Sequence, residues 1–281
     1  MATSMALPVV PFSQTREKDP DAGARVAAMR DSALFSGLTE QECRMLGLSA
    51  TRRRFASGES LFMQGKRIRE VLLIESGTVK LSKVGCDGDE VILWMNGRSD
   101  VLEIPLDEVQ SRYTCTARAV ENCSILRWNA RLLHGVMHEY PQIRANVNNI
   151  MAEKLTELEQ RFRELTTESI AHRLARTVVR LVCSIGREHS EGILLSVTRE
   201  ELAKISGMSM FTTSRVISAW SDEGFILSLR KAIVVRDPCQ FAGICKESPE
   251  GDLSGSEQTE ECSSNPNDGA GPAVAGFSEM A

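Results

Sequence analysis

Three observations predict an α+β chain that runs from an N-terminal antiparallel β-roll or jelly-roll barrel, through one long helix, to a C-terminal winged helix-turn-helix. Short apolar or alternating runs punctuated by glycines fill the first region. A heptad seam of apolar residues follows. Near the C-terminus two helix-capping signals flank a single glycine and lead into an alternating run with a basic turn. The 281 residues suffice for about two domains.

Hydrophobic residues at 42% and charged ones at 25% place the chain among globular proteins. Aromatics at 5% are too few for an extended stacking platform. No stretch approaches the roughly 20 apolar residues of a membrane helix. The run 5–12 holds Pro8 and Pro11 without a basic flank, which argues against a signal peptide. Eight scattered cysteines lack the density of a disulfide scaffold, so a cytoplasmic protein without membrane contact is expected. The net charge of −5 is uneven: residues 241–281 hold one basic and eight acidic residues, and the rest holds 32 basic and 30 acidic. A near-neutral body with an acidic tail leaves nucleic-acid binding open where cations cluster locally.

Residues 1–30 mix Pro, Asp, Arg and Ala without periodicity and read as a flexible arm. Residues 31–138 read as the roll. Its strand candidates are Leu61-Phe62 and the runs 71–74, 79–84, 91–94 and 124–128, with a hairpin tip at Cys86-Asp87-Gly88-Asp89. Residues 139–166 read as one helix. Met151, Leu155, Leu158, Phe162 and Leu165 recur at spacings of 4, 3, 4 and 3, and Val147 extends the stripe upstream. Such a stripe suits pairing with a second copy, and also packing on the chain's own roll. The narrow stripe outlasts a small roll, which favours a dimer interface of Val147, Met151, Leu155, Leu158, Phe162 and Leu165. Residues 167–240 open with an amphipathic helix and a loop at 186–192. The acidic tail 241–281 has too few large apolar groups to offset its ordering entropy and reads as disordered.

The informative stretch is 197–226. Thr198 with Glu201 three residues on forms a capping box, Gly207 suits a left-handed C-cap, and Ser209 caps a second helix. Ala203 is small where the helices approach, and Ile205, Val216 and Ile217 supply inner contacts. A turn at Arg230-Lys231 then makes a hairpin wing with two cations at its tip. On a helix narrow enough for the major groove, Met210, Phe211, Ser214 and Arg215 lie where side chains meet bases. Arg215 suits a bidentate contact to guanine, and Ser209, Thr212, Thr213, Arg230 and Lys231 suit phosphate or capping roles. Met210 and Phe211 either meet thymine methyl groups or pack against the hairpin.

From residue 34 to 238 the sequence resembles the Crp/Fnr family of bacterial transcription regulators. The resemblance rests on Leu34-Phe35-Ser36-Gly37-Leu38-Thr39, Gly58-Glu59-Ser60-Leu61-Phe62-Met63-Gln64-Gly65, Ser76-Gly77-Thr78-Val79-Lys80-Leu81 and the unit 198–216. It implies a homodimeric, sequence-specific DNA-binding regulator with an effector sensed in the roll. The implied partners are double-stranded DNA, a second copy, and RNA polymerase if the protein activates. It implies an effector pocket around Glu103, Arg112, Tyr113 and Thr114. Aligned on Thr116-Ala117-Arg118-Ala119, Tyr113 takes the place of the family's phosphate-binding arginine, and the Gly-Glu pair falls near Glu103-Ile104 without its glycine. An anionic phosphate without a paired cation is strongly disfavoured in a buried pocket, which argues against cyclic AMP. Arg112 should face the opposite side of its strand.

The cofactor stays open. No cysteine precedes Cys43, so the family's N-terminal cluster ligands are absent. Cys239, Cys245 and Cys262 match no familiar metal spacing and read as incidental thiols, with a metal or redox site as the alternative. His134 and His138 read as a solvated helix end rather than a metal pair. No histidine precedes His134, and no phosphate loop or nucleophile elbow occurs, so the chain is not expected to be an enzyme. The alternative function is a regulatory module that works through protein contacts without DNA.

Overall fold

A computed structural model describes residues 22–104 and 112–244. The roll is two four-stranded antiparallel sheets. One has the order β1 (Thr51–Phe55), β8 (Cys123–Asn129), β3 (Glu70–Ser76) and β6 (Val101–Leu102); the other has β2 (Ser60–Phe62), β7 (Thr116–Ala119), β4 (Val79–Val84) and β5 (Glu90–Asn96). Inward-facing Phe55, Phe62, Leu72, Ile74, Leu81 and Ile125 close the space between the sheets. The β4–β5 hairpin turns at the expected tip, where Gly88 takes φ +87° and the Gly85 amide donates to the Asp89 carbonyl at 2.9 Å.

The outer face of the first sheet is covered by helices α1 (Ala22–Arg30), α2 (Glu40–Leu48) and α3 (Ala130–Glu139) and by the start of α4 (Pro141–Thr167). The flexible arm expected over 1–30 is corrected for its last part. Residues 22–30 are helical, and Val26, Ala28 and Met29 are buried against the roll, where their burial offsets the ordering entropy. The remainder of that arm lies outside the described residues. Trp128 anchors this layer by donating its indole N–H to the Leu46 carbonyl at 3.0 Å.

The long helix runs Pro141–Thr167 rather than the expected 139–166, because Glu139 ends α3 and Pro141 opens α4, and its faces divide. Ile143, Asn146 and Val147 are buried on the chain's own roll, and the Asn146 amide donates to the carbonyls of Leu34 and Ser36 at 2.9 and 2.8 Å. Val147 is therefore corrected: it packs inside its own subunit and is not available to a partner. Met151 is half-buried against the same core. Beyond it Leu155, Leu158, Phe162 and Leu165 stand exposed, Phe162 by 70%.

The C-terminal unit holds α5 (Ile170–Ile185), α6 (Arg199–Ser206), α7 (Met210–Asp222) and α8 (Pro238–Ile244) around a small sheet. Its order is β11 (Ile226–Ser228), β12 (Ile233–Val235), β10 (Gly192–Leu195) and β9 (Arg187–His189). The loop expected at 186–192 is instead mostly a hairpin that adds β9 and β10 to the wing. The disorder expected from 241 is corrected for the first four residues: 241–244 finish α8, and Phe241 is fully buried against Trp220. Residues 245–281, with Cys245 and Cys262, lie outside the described residues.

Candidate nucleic-acid interface

Local chemistry fixes both helices of the helix-turn-helix. The Thr198 hydroxyl accepts from the Glu201 amide at 3.1 Å, and the Glu201 carboxylate accepts from the Thr198 amide at 3.0 Å, the expected reciprocal capping box. Gly207 ends α6 at φ +63° and ψ +41°, a left-handed conformation that a Cβ disfavours. The Met208 amide bonds back to the Ala203 carbonyl at 3.0 Å, and the Ser209 hydroxyl accepts from the Thr212 amide at 3.1 Å to start α7. Leu202, Ala203, Ile217 and Trp220 are buried between the helices, with Ile205 and Val216 packed at the edge of that core.

This frame decides which α7 side chains stay free. Met210 is 51% exposed and Phe211 72% exposed, and Arg215 is exposed one turn on. The Arg215 guanidinium lies 5.9 Å from the centre of the Phe211 ring. Ser214 and Thr212 are half-buried beside them. Thr213 is corrected: it is wholly buried in the core, so its hydroxyl is turned away from any phosphate.

The wing turns at the expected place, closed by the Leu229 amide donating to the Ala232 carbonyl at 2.9 Å, with Arg230 and Lys231 exposed. Lys231 borders a cleft of about 480 Å³ that it shares with Ser57 and Asn122 of the roll. Arg199 went unnoticed in the sequence. It donates to the hydroxyls of Ser218 on α7 and Ser228 on β11, at 3.4 and 3.2 Å, and so ties recognition helix and wing together. Its place in the first turn of α6 carries no motif that signals this.

The residues expected to form an effector pocket divide. Tyr113 turns into the roll, stacked on Phe62 with ring centres 3.8 Å apart. Burial, with the nearby Glu70 and Glu103 carboxylates, pushes its phenol up to about 12. Arg112 points outward and donates to the Gly65 carbonyl at 2.7 Å, as strand alternation predicts. Glu103, at φ +45°, accepts from the Thr114 hydroxyl at 2.9 Å and the Cys115 thiol at 3.2 Å. Burial and that carboxylate push the Cys115 thiol up to about 12, which keeps it protonated and unreactive. Residues 105–111 are outside the described part. Among the described residues no three His, Cys, Asp or Glu side chains converge on a metal position; His134 and His138 meet edge to face on α3, and Cys239 is exposed on α8. No described helix is long and apolar enough to cross a membrane.

The roll grips the C-terminal unit through β5. Ile92 and Met95 are buried within the core of that unit. Lys204 of α6 reaches Glu90 at 2.9 Å, and Lys80 of β4 reaches Glu201 at 3.4 Å. Burial pushes the Glu90 carboxyl up, but hydrogen bonds from Lys204 and Ser82 and the charges of Lys80 and Lys204 outweigh it and hold the carboxyl below its usual range.

A model of the cyclic nucleotide-binding domain matches residues 52–140, and one of the Crp-like helix-turn-helix domain matches residues 172–243. A cyclic AMP receptor protein of Thermus thermophilus is 27% identical over 199 residues, covering 70% of this chain and 89% of its own. The anaerobic regulatory protein of Bacillus subtilis is 26% identical over 180 residues, covering 63% of this chain and 76% of its own. The structure of FixK2 from Bradyrhizobium japonicum shares the fold, with a TM-score of 0.60 at 19% identity over 69% of this chain and 96% of that one.

The depressed Glu90 carboxyl sets a pH dependence. Its contribution to stability is fully present above the usual glutamate value of about 4.3 and is lost as pH falls through the lower folded value. Urea midpoints of the parent and Glu90→Gln are expected to differ most near neutral pH and to converge in acid. A constant difference at all pH values contradicts the bridge.

Proposed function

We infer the working of this chain from one premise, that it belongs to the Crp/Fnr family of DNA-binding transcription regulators, a family of regulators rather than enzymes. The chain acts as a homodimer that presents one α7 per subunit to a near-palindromic operator, with the two helices one DNA turn apart. The exposed recognition helix, capped at both turns and braced to a basic wing by Arg199, is the observation that carries this reading. Arg215 reads a guanine. Ser214 faces the bases beside it, and Ser209, Thr212 and Arg230 hold the backbone, with Lys231 contributing from the side of the wing that faces the roll.

Self-association runs along α4. Leu155, Leu158, Phe162 and Leu165 form an exposed apolar stripe at heptad spacing. Val147 lies outside this interface, and Met151 marks its upper edge.

The roll controls DNA binding through an effector other than cyclic AMP. The Thermus thermophilus relative is a cyclic AMP receptor protein, but alignment with the family sets Tyr113 of this chain in the place of the phosphate-binding arginine, and the burial of its ring on Phe62 supports an interior without that cation. Arg112 next to it faces solvent and offers the interior no cation. A shift of β5 or α4, biased by an event in the roll, moves the winged unit between two arrangements. A cytoplasmic site of action and a contact with RNA polymerase, if the protein activates, follow from the same reading.

Arg215→Ala is expected to lose about 1–3 kcal/mol of discrimination between operator and random duplex while non-specific affinity stays near its parent value. Anisotropy titrations at fixed salt measure both, and intact discrimination contradicts the assignment. Phe162→Asp is expected to shift sedimentation to that of a monomer, and an unchanged dimer removes α4 from the interface. Cyclic AMP is expected to leave the thermal midpoint and operator affinity unchanged; a rise in either with ligand concentration shows binding to the folded state.

A further inference from the structure

The first two turns of α7 carry an unusual set of groups for a base-reading surface. Met210 and Phe211 are exposed rather than packed on the wing, where Trp220, Phe225 and Phe241 already fill the space. No acidic residue occurs on α7 before Asp222, so no carboxylate in its exposed N-terminal half accepts from a cytosine amino group. Arg215 makes no ion pair with a carboxylate among the described residues, and its guanidinium lies by the Phe211 ring. The exposed part of this surface is thus one cation and two large apolar side chains, with the Thr212 and Ser214 hydroxyls half-buried beside them. In the major groove an apolar side chain that covers a polar base edge leaves that edge unsatisfied. The one apolar feature it can meet there is the C5-methyl group of a pyrimidine.

We propose that Met210 and Phe211 read a pyrimidine C5-methyl group, that of thymine in unmodified DNA, beside the guanine taken by Arg215. The 5.9 Å between guanidinium and ring, against a rise of about 3.4 Å per base step, sets the methyl group within about two base pairs of the guanine. The Arg215 fork gives the half-site its polar anchor, and the ring at its side keeps the guanidinium from swinging into solvent. The same methyl group is carried by 5-methylcytosine, so the chemistry is the methyl and not the thymine ring. This inference rests on α7 being the DNA-reading helix.

The test begins with selection of bound duplexes from a random pool by the full chain. The selected half-site is expected to hold a thymine within about two base pairs of a guanine. That thymine is then replaced by deoxyuridine, which removes only the methyl group. Burial of one such group predicts a loss of about four-fold per half-site and about fifteen-fold for a symmetric operator. Met210→Ala/Phe211→Ala is expected to bind the thymine and uracil operators equally, while Arg215→Ala keeps a preference for thymine. With cytosine at the same position, 5-methylation is expected to raise the parent's affinity. Equal binding of the two operators by the parent, or a half-site without a nearby thymine, overturns the proposal and leaves DNA reading by α7 in place. Failure to enrich any sequence overturns both.

Discussion

Strand β5 belongs to two cores, and the rest of the architecture depends on that. One side of its backbone is hydrogen-bonded into the roll through β4, while Ile92 and Met95 are buried with Leu174, Leu202 and Trp220 of the winged unit. Leu93 and Trp94 of the same strand pack on the roll's own core, and a strand shared between two cores cannot shift in one without disturbing the other, because packed interiors have few alternative arrangements. A displacement of β5 would therefore reach α6 and α7 without a long relay. Helix α6, which β5 touches through Glu90 and Lys204, is the element against which α7 is set.

Charged contacts add direction to that apolar grip. Glu164 near the end of α4 is almost fully buried and accepts two hydrogen bonds from Arg180 of α5, fixing the angle at which the winged unit leaves the long helix. Arg161, stacked on Trp94, donates to the Leu93 carbonyl and so ties α4 to β5 as well. Arg187 of β9 reaches Glu121 in the roll's β7–β8 turn and Thr78 in its β3–β4 turn. These links sit at the border between apolar contacts and solvent, where geometry matters more than net energy. Three elements, β5, α4 and β9, thus triangulate the position of the recognition helix.

The parts legible in the sequence were those written in local chemistry. Capping at Thr198 and Ser209, the left-handed Gly207 and the turn at Arg230-Lys231 act over three or four residues, so spacing alone reveals them. The edge strand β1 was hidden because Thr51-Arg52-Arg53-Arg54-Phe55 shows no apolar alternation. Arg52 and Arg53 pair with Glu75 and Glu59, which lie outside the strand. Helix α1 was hidden because its value lies in Val26, Ala28 and Met29 meeting a roll that only the tertiary fold supplies. The heptad seam on α4 was legible as a stripe, but periodicity cannot say where the chain's own core stops and an open face begins. That boundary falls after Met151. On α7, Thr213 looked like its neighbour Thr212 until the helix was set against α6, which turned it inward.

The central claim is that two copies of α7 read one face of a duplex. Hydroxyl-radical footprinting of the full chain on a selected operator tests it most directly. The account predicts two protected patches on the same face, their centres about 10 base pairs apart. A single patch, or uniform protection along the duplex, contradicts it.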